Sequence, residues 1–277
     1  MLKSISVWAL KDSDTRTADS VFAEARKQGF EAVELAIGLK GLVTPESTEG
    51  DCRKLVEAAE ANGVRVSSLA SGLGWQFPLT ADDPDVRAKG VEMIRSGLYA
   101  ASWLGVKALL VVPGMLAPLG GDSKAHVPYD VAYERMEAGL TELVPVAEEV
   151  GVVLGIENVW NRVLLSPLEM RDFIDDFVSD AVGAYLDVGN VITFGYAEDW
   201  VRILGSRICC VHFKDFKRSV GTLDGFCDLL AGDVNYPAVM ESLREVGYGG
   251  PCVAEFFGLD SAGLDKLSKA MDTILAM

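Results

Sequence analysis

Four residues in the second half of the chain have types that belong together chemically: Glu157, Asp187, His212 and Glu255. Each closes a short apolar run, Gly155-Ile156-Glu157, Tyr185-Leu186-Asp187, Cys210-Val211-His212 and Val253-Ala254-Glu255, at intervals of 30, 25 and 43 residues. A carboxylate that ends an apolar run is costly to take out of water without a partner. Three of them meeting one imidazole would repel one another unless a cation lay between them. An oxygen-rich set with a single imidazole and no thiolate suits Mn²⁺ first, with Mg²⁺, Co²⁺ or Zn²⁺ as alternatives. Taken singly, each acid serves as well as a helix cap, and the histidine as well as a satisfied core residue. Repetition at four successive run ends is what argues for a metal.

For these residues to meet, the runs that carry them must lie side by side. The chain alternates short β-branched runs with longer stretches of helical spacing. Strands are expected at Ile5–Trp8, Ala32–Leu35, Val64–Leu69, Ala108–Val112, Val152–Glu157, Gly183–Asp187, Ile208–His212 and Cys252–Phe256. Helices are expected at Thr17–Gln28, Asp51–Ala61, Pro84–Leu104, Tyr129–Val150, Pro167–Phe177, Ala197–Leu204, Tyr236–Val246 and from Gly258 onward. Most of these helices run into a glycine, the residue that enters the left-handed region without a Cβ clash. Strands such as Leu109-Leu110-Val111-Val112 are apolar without alternation, which suits parallel strands covered on both faces. Eight strand–helix units predict an α/β fold, a closed (β/α)8 TIM barrel forming a single domain over residues 1–277. An open doubly wound sheet is the runner-up, but Trp8 leads into Ala9-Leu10-Lys11-Asp12 with no glycine-rich phosphate loop. In a barrel the active site lies where the strands end, which is where the four residues stand.

Composition narrows the partners. The 277 residues are 49% hydrophobic and 24% charged, as in a globular protein with ample core. A net charge of −16 opposes binding to nucleic acid or to an anionic membrane surface. Five cysteines without a CxxC, and an N-terminal stretch Met1–Leu10 carrying only Lys3, predict a reduced, cytoplasmic setting. No apolar stretch approaches the roughly 18 to 20 residues of a membrane span.

The strings Ile156-Glu157-Asn158-Val159-Trp160-Asn161, Leu186-Asp187-Val188-Gly189-Asn190, Val211-His212-Phe213-Lys214-Asp215 and Val253-Ala254-Glu255 resemble the metal-site strings of the sugar phosphate isomerase/epimerase family, the xylose isomerase-like barrels. Gly232-Asp233-Val234-Asn235-Tyr236-Pro237, Glu245-Val246-Gly247-Tyr248-Gly249-Gly250 and Phe30-Glu31-Ala32-Val33-Glu34-Leu35 resemble further family segments. The resemblance implies Glu157, Asp187, His212 and Glu255 as metal ligands, with Glu157 and Glu255 also exchanging protons with a ketose. It implies a substrate contact at Arg218, six residues after the histidine. Many members carry a histidine three residues after the aspartate; this chain has Asn190, as in the L-xylulose-5-phosphate 3-epimerase branch. Relatives are commonly dimers or tetramers, so a homo-oligomer is expected.

The chemistry follows from these groups. Inverting a stereocentre beside a carbonyl needs a base to take a carbon-bound proton, an acid to return it on the other face, and a cation to stabilise the enediolate between. Lys214, two residues after His212, is turned to the same face and is read as a contact to substrate or to a neighbouring carboxylate. Glu34, Asn161 and Trp8 are further candidate substrate contacts at strand ends; Trp75 and Arg162 stand in similar places. Lys214, Lys217 and Arg218 form a local basic cluster, either a phosphate anchor or a solvated loop. Gly120 to Pro128, with His126, is read as a lid or a plain exposed loop. The expected function is thus a divalent-metal-dependent isomerase or epimerase of a small ketose or ketose phosphate. A lyase or dehydratase acting on a keto-sugar or inosose through the same enediolate is the alternative, and a non-catalytic sugar-binding barrel is the alternative of another class. An abasic-site endonuclease is excluded by its need for several histidines, since the chain has only His126 and His212.

Overall fold

A computed structural model describes residues 1–118 and 126–277. Eight parallel strands close into a barrel: β1 (Leu2–Ser6), β2 (Ala32–Ile37), β3 (Arg65–Ser71), β4 (Ala108–Val111), β5 (Val153–Glu157), β6 (Val182–Asp187), β7 (Ile208–Phe213) and, after a short hairpin of β8 (Asp215–Phe216) and β9 (Phe226–Cys227), β10 (Pro251–Ala254). Each barrel strand pairs with its sequence neighbour, and β10 closes against β1 with Leu2 opposite Pro251. Helices α1 (Ala18–Lys27), α2 (Glu49–Ala61), α3 (Pro84–Trp103), α4 (Tyr129–Thr141), α5 (Val144–Val150), α6 (Pro167–Asp175), α7 (Ala197–Leu204), α8 (Tyr236–Glu245) and α9 (Ser261–Leu275) lie along the chain between and after the strands. No described helix is long and apolar enough to cross a membrane.

The core has two parts. A large apolar layer between strands and helices includes Phe22, Phe30, Leu98, Met136, Phe173 and Leu243. A smaller cluster containing Ala70, Leu110, Tyr185, Cys210 and Val253 contributes to a second core. Local sequence starts and stops the helices as expected. Thr17, Thr48, Asp83, Ser166, Asn235 and Asp260 accept backbone N–H bonds at helix starts, and Thr48 forms a reciprocal box with Asp51. Gly151 and Gly247 turn the chain out of its helix at φ 66° and 74°.

Four expectations need correction. The helix expected over Tyr129–Val150 is two helices, because Pro145 has no N–H and its ring clashes with the carbonyl of Thr141, where α4 ends. The first strand lies earlier than expected, and Val7–Ala9 is a 3₁₀ turn that carries Trp8 toward the barrel mouth. The last strand stops at Ala254, so Glu255 follows it directly. The last helix begins at Ser261 behind its Asp260 cap, not at Gly258. The β8–β9 hairpin was not anticipated; two-residue strands carry no periodic signal. Most of the candidate lid, Gly120 to Pro128, lies outside the described residues, while His126 is exposed.

Candidate active site

Strand register assembles the four residues. Asp187 and His212 are direct partners across β6 and β7, and His212 pairs with Val253 of β10 on its other side. Glu157 ends β5, opposite Tyr185 of β6. One ligand atom from each of Glu157, Asp187, His212 and Glu255 lies within 4.8 Å of the others. A cavity of about 780 Å³ opens over this group. Glu157 and Glu255 line it together with Lys214, Asn190, Trp8, Trp75, Trp160 and Phe257. Asp187 and His212 are fully buried and are not among the lining residues.

Asp187 is held from behind. Asp187 Oδ1 accepts the backbone N–H of Gly189 and of Asn190, both at 2.8 Å, which leaves Oδ2 aimed at the cluster. The Asn158 side chain clasps the backbone of Asp187 from both sides, donating to its carbonyl and accepting its N–H. Asn190 in turn donates to the Asn158 carbonyl. His212 turns Nδ1 toward Glu255 Oε2 at 2.6 Å and Glu157 Oε1 at 3.8 Å. The Lys214 ammonium lies 2.7 Å from Glu255 Oε2 and 3.1 Å from Asp187 Oδ2.

Gly189 permits this approach, since a Cβ there would fall 2.6 Å from Lys214 Cβ and 2.9 Å from its carbonyl carbon. Gly189→Ala therefore displaces Lys214, lowers stability by about 1–3 kcal/mol and reduces activity, as urea unfolding and steady-state assays will show. An unchanged unfolding midpoint would contradict this packing.

Charge in the group is unevenly distributed. Burial, reinforced by the facing Glu255, pushes the Glu157 carboxyl up to about 7 despite the nearby His212. Burial acts on Glu255 in the same direction, but Lys214 and His212 outweigh it and hold that carboxyl down at about 2. Burial also raises Asp187, against the pull of Lys214. His212 stays well above its ordinary value because Glu34 and Glu255 overcome the cost of burying it.

The donor set fits a divalent ion. Opposite donors around an ion with bond lengths of about 2.0–2.6 Å stand about 4–5 Å apart, and no two of the four donor atoms here are more than 4.8 Å apart. Among the described residues, buried Asp187 Oδ2, His212 Nδ1 and Glu255 Oε2 have no partner in hydrogen-bond geometry. Buried polar atoms are nearly always satisfied, and the Lys214 ammonium faces the two oxygens without meeting that geometry, so the three atoms together are a donor set suited to a cation.

The other candidate contacts divide. Lys214, Asn190 and Trp8 line the cavity, Trp8 stacked on Phe257 with ring centroids 6.1 Å apart. Glu34 does not. It is wholly buried under His212, with Nε2 3.0 and 3.1 Å from its two oxygens, because it lies within β2 and not at its mouth. Asn161 is also buried away from the cavity. Its amide donates to the Gly114 carbonyl and accepts from Val163 N–H, tying two loops together. Arg218 is exposed and spends its guanidinium on the carbonyls of Ile192 and Gly195, above the Tyr196 ring. Arg162 and Lys217 are exposed as well. Reading the sequence missed Asn158, Ser68 and Tyr185. Tyr185 carried a usable signal, being two residues before Asp187 and so facing the same side; Ser68 carried none.

With fold and site in place, the family is clear. The xylose isomerase-like TIM barrel family model matches residues 22–276, and the chain belongs to that family. L-ribulose-5-phosphate 3-epimerase UlaE of Salmonella paratyphi A is 26% identical over 256 residues, covering 91% of this chain and 87% of its own length. The D-psicose 3-epimerase of Clostridium cellulolyticum H10, solved with D-tagatose, superposes with a TM-score of 0.81 at 20% identity over 99% of both chains. The 3-keto-D-glucoside 4-epimerase YcjR of E. coli does so with a TM-score of 0.80 at 15% identity over 100% of both. At such identities these two structures speak to the fold alone.

Proposed function

We propose that this chain is an isomerase-type enzyme, a divalent-metal-dependent epimerase of a small ketose or ketose phosphate. The observation that carries the reading is the split within the donor cluster. All four groups converge, yet only Glu157 and Glu255 also line the cavity where a sugar would lie. Asp187 and His212 are therefore assigned to holding the ion, and the two glutamates to holding it and exchanging protons. The curated ketose-phosphate 3-epimerase relative supports the choice of reaction.

When bound, a divalent ion, Mn²⁺ by donor type, supplies Lewis-acid polarisation of the substrate oxygens. One glutamate takes the proton from the carbon beside the carbonyl, and the other returns a proton to the opposite face. Burial and Glu255 raise the Glu157 carboxyl to about 7 in the ion-free chain, and a bound ion would lower it into the ionised form that acts as a base. The Lys214 ammonium offsets negative charge that develops on the sugar. Trp8 and Trp75 offer flat apolar walls for the sugar's C–H face. Lys217 and Arg218 are not among the lining residues, and Lys214 is the one cation among the described residues that are. Unphosphorylated ketoses therefore come first in the assay, with their phosphates beside them. The five free cysteines support a reducing, cytoplasmic setting.

The test is a panel of ketoses, ketose phosphates and inososes incubated with Mn²⁺-loaded protein in D₂O. The expected outcome is an epimer of unchanged composition carrying deuterium at the inverted carbon. An unsaturated product would mark a lyase instead, and no exchange on any compound would contradict the proposal.

A further inference from the structure

His212 is gripped from below by a network that the epimerase reading does not use. Glu34 of β2 accepts Ser68 Oγ of β3 at 2.9 Å and the Tyr185 hydroxyl of β6 on the same oxygen. Tyr185 and Ser68 hydroxyls are 3.0 Å apart, and the Tyr185 ring meets the His212 ring edge-on at 4.8 Å. A register shift, with Ser67 as the extra residue of β3, sets Ser68 opposite Glu34. Four strands thus converge on one buried carboxylate that does not line the cavity.

We infer that Glu34 is the positioning residue that sets the tautomer of His212, accepting a hydrogen bond from Nε2–H so that Nδ1 keeps its lone pair for a cation. The carboxylate accepts from both hydroxyls and offers the ring only lone pairs, so the ring nitrogen facing it must be the donor. Both carboxylate oxygens lie within hydrogen-bond distance of Nε2, and Tyr185 blocks rotation of the ring. Nδ1 points at Glu255 and Glu157 with no partner in hydrogen-bond geometry, and it is the nitrogen that would give up its proton to a bound cation while Nε2 keeps the other. A carboxylate behind a metal-binding imidazole fixes ring and tautomer together, and losing it typically weakens metal binding 10- to 100-fold.

This inference rests on the metal reading, and two experiments separate them. The chain has only two histidines, so a long-range ¹H–¹⁵N spectrum of the Zn²⁺-loaded protein contains two imidazoles, and His126 is the exposed one. The expected His212 pattern has the proton on Nε2; a proton on Nδ1 overturns the inference without any variant. Calorimetric Mn²⁺ titration should then give a Kd about 10- to 100-fold weaker for Glu34→Gln than for the natural chain. Tyr185→Phe should shift it in the same direction by less. A Glu34→Gln Kd within twofold of the natural value overturns the positioning role and leaves the epimerase proposal standing. If the natural chain binds no ion, both fall. If Glu34→Gln does not fold, the tautomer spectrum of the natural chain decides.

Discussion

Glu157→Gln and Glu255→Gln should each lower kcat for epimerisation by about 10³-fold at saturating Mn²⁺, within the range general acid–base groups supply. Glutamine keeps the size of the side chain and one oxygen for an ion, but it cannot exchange a proton at neutral pH. Because the two carboxylates act in series, the double variant should be little worse than either single one. The chosen substitution also keeps the outcome interpretable. The ion retains three unaltered holders when either glutamate is replaced, two of them, Asp187 and His212, away from the cavity. Steady-state rates alongside Mn²⁺ titrations separate the loss of proton transfer from weaker binding. A variant that keeps a tenth of the natural kcat would remove that glutamate from the chemistry.

Lys214→Met should show the largest effect on stability, and only in the absence of metal. The ammonium is 13% exposed and sits between Glu255 and Asp187. Breaking a buried ion pair by removing one partner costs about 3–5 kcal/mol, because the other charge stays buried and uncompensated. Urea unfolding in EDTA should reveal that loss. Mn²⁺ should restore most of it, since a divalent ion replaces the missing positive charge. The natural chain should gain less, about 2.7 kcal/mol at a hundredfold excess over Kd. Equal stabilities of the two chains in EDTA would mean that Lys214 is not the internal counter-ion of the site.

Much of this architecture was legible in the sequence, for definite reasons. Strand–helix alternation and glycine after helices report local hydrogen bonding and backbone sterics, which need no partner elsewhere in the chain. Glu157, Asp187, His212 and Glu255 were legible as a set because a barrel brings every strand end to one rim, so position along a strand becomes position in space. What failed depends on side-chain direction. Glu34 reads as a strand-end acid, but β2 runs on to Ile37, so the carboxylate lies inside the barrel under His212 and not at its rim. Arg218 has the expected spacing, but nearby carbonyls of Ile192 and Gly195 satisfy its guanidinium first. The apolar pattern over Tyr129–Val150 continues across Pro145 although the helix breaks there, since Val146 and Ala147 pack into the same core as Met136 and Leu140.

The central claim is that Glu157, Asp187, His212 and Glu255 jointly hold one divalent ion. Its most direct test is the Mn²⁺ stoichiometry of chelator-treated protein, measured by titration and by elemental analysis after dialysis, for the natural chain and for His212→Ala and Asp187→Ala. The account predicts one ion per chain, lost in both variants while their circular dichroism is retained. Absence of binding by the natural chain, or an unchanged stoichiometry and Kd in both variants, would contradict it.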